Sequence, residues 1–437
     1  MNVVFLVIVL LAFITAATYQ LTHDPVEDGE TSPMEEMSTA MVESAGGAVE
    51  LAIGLIGVMT LFLGLMKVAE AGGMLTILAK LIRPMMVRLF PDVPGDHPAM
   101  GAMILNFSAN ALGLGNAATP FGIRAMQELD KLNPRKGTAT DSMALFLAIN
   151  TSSITLLPTG VIALRAAAGS ESPAAILPTT LFATLCATIA AILAARFYRR
   201  FFPLSRYPVR EHQDTDIGGG HRPDEYEGLP EEASQAYPGW VSALALGGIL
   251  SLIPLSILYG RVIAPWIIPG LMVFFLLFGV LRGVRIYEVF VEGARDGFQV
   301  AVRIIPYLVA ILVAVGMFRA SGAMDVMTDL IGGFTGRIGL PAEALPMALL
   351  RPLSGSGAYG VLASIINDPA IGPDSYTGVL VSTLQGSTET TFYVLAVYFG
   401  AIQVRRIRHT LAAALTADMV AVAAAVIICL SLFGMVI

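Results

Sequence analysis

The chain has 437 residues, a net charge of −7, 55% hydrophobic residues and only 14% charged ones. Soluble domains carry about 25% charged residues, so this composition excludes a soluble enzyme and a disulfide-built secreted domain, and the acidic balance excludes a nucleic-acid binder. The charge is also concentrated, with six acids and no Lys or Arg between Tyr19 and Glu36 and eleven charged residues between Arg206 and Glu232. What remains has apolar runs of about 20 residues, the length of a membrane-spanning helix.

In chain order the apolar spans read Val3–Thr18, Ala48–Ala69, Ser142–Ala166, Ala174–Phe197, Val241–Tyr259, Val262–Leu281, Phe298–Phe318, Tyr376–Ile402 and Leu411–Phe433. Val3–Thr18 has no basic residue ahead of it and reads as an anchor helix rather than a signal peptide. Between Gly72 and Arg135, and between Gly322 and Pro373, Gly, Pro, Asn and Ser interrupt the apolar pattern. Examples are Gly113-Leu-Gly-Asn-Ala-Ala-Thr-Pro-Phe-Gly122 and Pro352-Leu-Ser-Gly-Ser-Gly-Ala-Tyr-Gly360. Such stretches suit broken or re-entrant helices, tolerated at membrane depth only where they are buried in protein or line a cavity. Arg206–Glu232 reads as a solvated linker. The expected organisation is therefore a membrane half over 1–202, a cytoplasmic linker over 203–237 and a second membrane half over 238–437. Cys186 and Cys429 lie in apolar runs and read as small hydrophobes.

The two halves repeat. Val42-Glu-Ser-Ala45 matches Val291-Glu-Gly-Ala294, and the same offset of 249 residues pairs Ala52 with Ala301, Leu63 with Leu312 and Gly73 with Gly322 without a gap. Asn116–Gly122 then aligns with Ser354–Gly360, and Asn150-Thr-Ser-Ser-Ile-Thr155 with Gln385-Gly-Ser-Thr-Glu-Thr390. Basic residues favour the cytoplasmic side. They follow the last helix of the first half (Arg196, Arg199, Arg200) but precede its counterpart (Arg405, Arg406, Arg408), which makes the repeat inverted. Two helices after the linker close the parity; Arg261, in the turn between them, is the one residue against this scheme. The fold class expected is an all-α polytopic membrane protein of two inverted repeats with broken or re-entrant helices, an architecture of secondary transporters with the site near the midplane.

The densest polar group in an apolar span is Gln385-Gly-Ser-Thr-Glu-Thr-Thr391. Gln385, Ser387, Thr388, Glu389 and Thr390 are costly in hydrocarbon unless they face a cavity or one another, and Glu389, the lone acid there, is the expected coupling group. The equivalent Asn150, Thr151 and Ser152 are polar but uncharged. Asn116, Thr119, Ser354 and Ser356 sit at glycine-rich breaks, where a helix start would offer free N–H groups to a ligand. Small-residue packing is the competing reading there. Asn106 and Asn110 share a helical face; Lys67 and Glu70 read as an interfacial ion pair; Asp418 is an isolated acid; and Arg351 is suited to pair with a carboxylate or an anion. No metal-ligand spacing, nucleophile elbow or phosphate loop is present, so neither a metal, a cofactor nor catalysis is expected.

The first half resembles spore maturation protein A over Val3–Phe201, through Leu63-Gly-Leu-Met-Lys-Val-Ala-Glu70, Leu89-Phe-Pro-Asp-Val-Pro-Gly-Asp-His-Pro-Ala-Met-Gly101, Gly113–Pro120 and Phe146-Leu-Ala-Ile-Asn-Thr-Ser152. The second resembles spore maturation protein B over about Tyr287–Phe433, through Arg351–Ser356 and Gln385–Gly400. The resemblance implies a fusion of two nucleoside-recognition Gate domains, themselves similar to the membrane core of ferrous-iron transport protein B and to concentrative nucleoside transporters. Its implication is a permease-like protein of the bacterial inner membrane with a polar site between repeats. The expected partners are a small polar solute (nucleoside-like or a small carboxylate), a coupled proton or sodium ion and membrane lipid, with a homo-oligomer compatible. A membrane scaffold or ligand sensor that does not transport is the alternative.

Overall fold

The computed structural model describes residues 2–22, 31–113, 115–206, 236–327, 330 and 333–434. Most of the polar linker therefore lies outside the described residues, as do residues 23–30 of the acidic stretch. The first half contains α1 (Asn2–Thr22), α2 (Pro33–Ala71), α3 (Met74–Leu89), α4 (Pro98–Ala111), α5 (Gly115–Lys131), α6 (Asp141–Ser152), α7 (Thr159–Ala167) and α8 (Leu177–Tyr198). After α9 (Gly239–Leu281), the second half contains α10 (Ile286–Ala320), the short α11 (Ala323–Met327) and α12 (Gly333–Thr335), then α13 (Leu345–Leu350), α14 (Gly355–Ile366), α15 (Tyr376–Ser387), α16 (Thr391–Ala401) and α17 (Thr410–Phe433). Among the described residues no strand forms beyond one isolated bridge between Thr138 and Arg406. Among the described residues three helical segments, Pro33–Ala71, Pro173–Tyr198 and Thr410–Phe433, are long and apolar enough to cross a membrane; shorter apolar helices accompany them.

Each half runs through the same series: a long helix, a glycine turn, a helical hairpin, an interrupted helix and a terminal helix. Gly73 and Gly322, paired by the offset of the repeat, both adopt the left-handed conformation, with φ of 85° and 74°. Glycine takes that conformation without the steric cost of a Cβ. The hairpins are α4–α5, where Asn106 Nδ2 donates across to Ala118 O at 2.8 Å, and the smaller α13–α14.

Two spans expected to be continuous are not. Ser142–Ala166 breaks after Ser152, where Ser153 has φ 23°, and resumes at Thr159. Pro158 explains part of this, because proline lacks a donor and pushes its predecessor out of the helical region. Tyr376–Ile402 breaks after Ser387; Thr388 is extended (φ −139°, ψ 165°), and α16 begins at Thr391. Hydropathy over a window registers composition and is blind to a three-residue interruption whose polar groups are satisfied internally.

The pair expected over Val241–Tyr259 and Val262–Leu281 is the 43-residue α9, non-helical at Tyr259 (φ −127°, ψ 16°). Straight, it would be about 64 Å long. Just before it, the Tyr237 N–H donates to Lys80 O at 3.3 Å, while Arg282 Nε, at its end, donates to Gly72 O at 2.8 Å. Lys80 and Gly72 are only about 12 Å apart along the chain's helical rise, so α9 folds back at Tyr259 into two arms.

The repeat is inverted. Along α10, Gly293 lies against Leu63 and Lys67, Gly297 against Met59 and Thr60, and Gly316 against Ala40 and Ser44. Position rises in one helix as it falls in the other, so these equivalent helices are antiparallel. The terminal helices behave likewise. Tyr198, ending α8, bonds Thr416 near the start of α17, while Thr179 and Cys429, from opposite ends of the two sequences, meet at Thr383. Two antiparallel pairs of equivalents require a two-fold axis across the helices, which lies in the membrane plane when they span it. Alanines 183, 187 and 191 of α8 and 417, 421 and 425 of α17 are buried, and such small side chains allow close helix approach without a hydrophobic driving force.

Two arginines clasp the repeats together. Arg165, wholly buried at the end of α7, donates to Pro373 O at 2.5 Å and to Asp374 at 2.9 Å, just ahead of α15. Arg408, after α16, donates to Ala139 O at 2.9 Å and ion-pairs with Asp141 at 2.8 Å, at the start of α6. Each repeat thus holds the start of the other's interrupted helix. Beside Arg408, burial and the adjacent guanidinium push the His409 imidazole down to about 4, leaving it neutral.

A Cβ at Gly297 would lie 2.7 Å from backbone atoms of Met59 and Thr60, whereas one at Gly57 would meet nothing within 4 Å. Gly297→Val should therefore lower stability by about 1–3 kcal/mol, the usual cost of overpacking, with Gly57→Ala near neutral in the same detergent melting experiment. Equal melting temperatures for both variants would contradict the α2–α10 contact.

Candidate functional site

The two interrupted helices meet each other, and each meets the hairpin of its own repeat. The Glu389 N–H donates to Thr151 O at 2.8 Å, joining the break before α16 to the end of α6. Leu156 N–H donates to Ala111 O at 2.9 Å, and Phe392 N–H to Pro352 O at 3.1 Å, so that a backbone bond joins the interrupted helix to the hairpin in each repeat. Four irregular backbone segments, at about 112–113, 153–158, 351–354 and 388–390, are thereby drawn together.

Their backbone groups are satisfied differently in the two halves. In the second, Arg351 is 7% exposed and sends Nε to Gln385 O at 3.1 Å, Nη1 to Thr390 Oγ1 at 3.1 Å and Nη2 to Thr388 O. A guanidinium suits this task because its donors form a rigid planar fork. In the first, hydroxyls serve. Thr184 Oγ1 donates to Ser152 O at 2.8 Å and to Ser153 O, and Ser152 Oγ and Thr188 Oγ1 lie 3.0 Å apart.

Beside this junction lies a cavity of about 620 Å³. The α2–α10 pair supplies one wall, with Lys67, Glu70, Asp296 and Gln299. The hairpins contribute Asn110, Gly113, Arg351, Gly355 and Tyr359, and the breaks contribute Thr155, Thr159, Gln385, Gly386, Thr388 and Glu389. Gly160 makes room here: a Cβ on it would lie 2.5 Å from the Tyr359 hydroxyl. The lining carries two cations, Lys67 and Arg351, against three acids, Glu70, Asp296 and Glu389, for a net charge of −1. Lys67 is 3.5 Å from Glu70 and 3.9 Å from Glu292, and Arg351 is 3.9 Å from Glu389. A second cavity of about 230 Å³ lies beside the first, with Arg351 and Thr388 bordering both.

The structure separates the residues singled out in the sequence. Gln385, Thr388 and Glu389 line the larger cavity, and Glu389 is 43% exposed into it. Asn150, Thr151, Ser152, Ser354 and Thr390 stand one layer behind. Asn150 Oδ1 accepts from Asn110 Nδ2 at 3.0 Å, the Thr151 carbonyl anchors Glu389, Ser354 caps α14 by accepting from Gly357 N–H at 3.0 Å, and Thr390 accepts from Arg351. Ser356 is half-buried in the first turn of α14, and Ser387 borders the smaller cavity. Thr119 lies near the Tyr398 hydroxyl, away from either cavity's lining. The Asn116 side chain lies outside the described residues. Lys67 and Glu70 form the expected ion pair, but it faces the cavity. Asp296, Gln299 and Tyr359 also line this cavity, and no motif in the sequence marks the first two. Asp296 and Gln299, three residues apart on α10, look like ordinary polar helix surface until α10 is placed against α2. Among the described residues no three His, Cys, Asp or Glu cluster to hold a metal ion.

The family model described as Gate, nucleoside recognition, matches residues 52–168 and 301–405, one stretch in each repeat. Spore maturation protein B from Bacillus subtilis is 47% identical over 170 residues, covering 39% of this chain and 92% of that protein. Spore maturation protein A from the same organism is 47% identical over 151 residues, covering 35% of this chain and 77% of that protein. A solved structure of a CNTnw variant in an outward-facing state aligns over 99% of this chain and 95% of its own, at 13% identity and a TM-score of 0.42. With family matches over about half of its length and close similarity to both proteins, the chain belongs to the Gate nucleoside-recognition family and unites spore maturation protein A-like and B-like segments in one polypeptide.

Proposed function

We propose that the chain is a permease of the inner membrane that carries a small, uncharged polar solute of nucleoside-like size and chemistry through the cavity between its repeats. The observation behind this reading is that broken helices from both repeats border one cavity, next to the long antiparallel pair α2–α10. In that arrangement the irregular backbone, costly in hydrocarbon, is gathered at one hydrated place, and rocking one repeat against the other would expose it to either side.

The charges of the lining support a neutral solute over a carboxylate. Arg351 is engaged by Gln385 O, Thr388 O and Thr390, and Lys67 lies between two acids. The other polar groups of the lining are amides (Asn110, Gln299, Gln385), hydroxyls (Thr155, Thr159, Tyr359) and the Glu389 carboxylate. With net charge −1, this set disfavours a carboxylate solute and suits sugar hydroxyls and base edges. Glu389 would accept from a solute hydroxyl. The halves 1–202 and 238–437, joined by a cytoplasmic linker, would be the moving bodies.

Thermal stabilisation of the purified full chain separates these classes, because a ligand that binds only the folded state stabilises it in proportion to RT ln(1 + [L]/Kd). Adenosine, inosine and uridine should raise the melting temperature, whereas succinate and glutamate should not. Gln385→Ala and Glu389→Gln should each weaken nucleoside binding about tenfold, the equivalent of one hydrogen bond of about 1.4 kcal/mol. Stabilisation by carboxylates alone, or nucleoside binding indifferent to both substitutions, would contradict the proposal.

A further inference from the structure

Asp418 sits in the third turn of α17 and is 6% exposed. Its Oδ2 accepts from Thr391 Oγ1 at 2.7 Å, while its Oδ1 is buried and meets no hydrogen-bond donor. Among the described residues it has no ion-pair partner. The helices packed around it bring little charge: Ser142–Ser152 of α6, Leu177–Ala195 of α8 and Tyr376–Ser387 of α15 contain no Asp, Glu, Lys, Arg or His. Arg351, across the smaller cavity, is the charged group that acts on it, and Glu389 lies on the far side of Arg351. An ionised carboxylate in such a place is far costlier than one in water unless a cation neutralises it. The smaller cavity, which Asp418 borders with Ser387 and Thr388, gives it room for water.

We propose that Asp418 is an intramembrane proton-binding site, served by the smaller cavity and adjoined to the solute cavity through Arg351 and Thr388, which border both. Protonation neutralises the carboxylate: Oδ1 then bears the hydroxyl proton, which removes charge from an oxygen that no donor reaches, while Oδ2 keeps the Thr391 bond. Deprotonation leaves an anion that draws on Arg351. Because that guanidinium also holds Gln385 O, Thr388 O and Thr390, any pull on it reaches the walls of the solute cavity. The proton site stands independently of transport; its link to solute movement rests on the permease reading.

Infrared difference spectroscopy on the purified full chain, carrying aspartate labelled with carbon-13 at the side-chain carboxyl and titrated in choline chloride, reads the site directly. A protonated-acid C=O band that shifts with the label should disappear as pH rises, be missing in Asp418→Asn and persist in Glu389→Gln. Thr391→Val, which removes the bond to Oδ2 without touching the carboxyl, should move the same band to higher frequency. A labelled acid band that survives in Asp418→Asn, or its absence at every pH in the wild type, overturns the proposal. Loss of the band at fixed pH when sodium replaces choline would make the site one for a metal cation and overturn it equally.

Discussion

Every backbone N–H and C=O held at membrane depth needs a partner, because hydrocarbon offers none. This chain interrupts helices in both repeats and so frees carbonyls that helix geometry would have satisfied. Arg351 is where that demand is met most directly, with its fork closed on Gln385 O, Thr388 O and Thr390. Remove it, and the break before α16 has no internal partner for two carbonyls, the larger cavity loses a wall and the smaller one loses its boundary. A charged side chain is thus held in an apolar region by the backbone it satisfies rather than chiefly by Glu389, which stands 3.9 Å away.

The duplication supplies symmetry, and its imperfection supplies chemistry. Both breaks bond to their own hairpins, and the start of each interrupted helix is held by an arginine of the opposite repeat. At the breaks themselves the symmetry ends. The first is satisfied by Thr184, Thr188 and Ser152, all neutral, and the second by a guanidinium with carboxylates on either side. The ionisable groups beside the breaks come from the second repeat, whereas the first repeat meets its own break with hydroxyls and brings Lys67 and Glu70 to the cavity from α2 instead.

Much of this was legible in the residues. An ungapped offset joining Gly73 to Gly322 exposed the repeat, and the exchange of basic ends between equivalent helices gave its inversion. The polar run from Gln385 to Thr390 pointed to the junction because hydrogen-bonding side chains stand out against an apolar background. What stayed hidden was tertiary. Windowed hydropathy passed over Ser153 and Thr388 because their surroundings are apolar. Asn150, Thr151 and Ser152 have the chemistry of a lining but belong to a helix buried on all sides, and they support the cavity from behind. Asp296 and Gln299 become part of the wall only because α10 lies antiparallel to α2, a pairing no local pattern states.

A permease of this design requires one cavity to serve both faces of the membrane, and thiol accessibility reads that requirement directly. With Cys186 and Cys429 replaced by alanine, a single cysteine is placed at Thr159 or Thr388, both of which border the cavity, and is challenged with a membrane-impermeant maleimide in right-side-out and inside-out vesicles. Alternating access predicts labelling from both orientations, slowed in each by a bound nucleoside. Labelling from one face alone, unchanged by nucleoside, would contradict transport and leave a membrane-embedded binding or scaffolding protein.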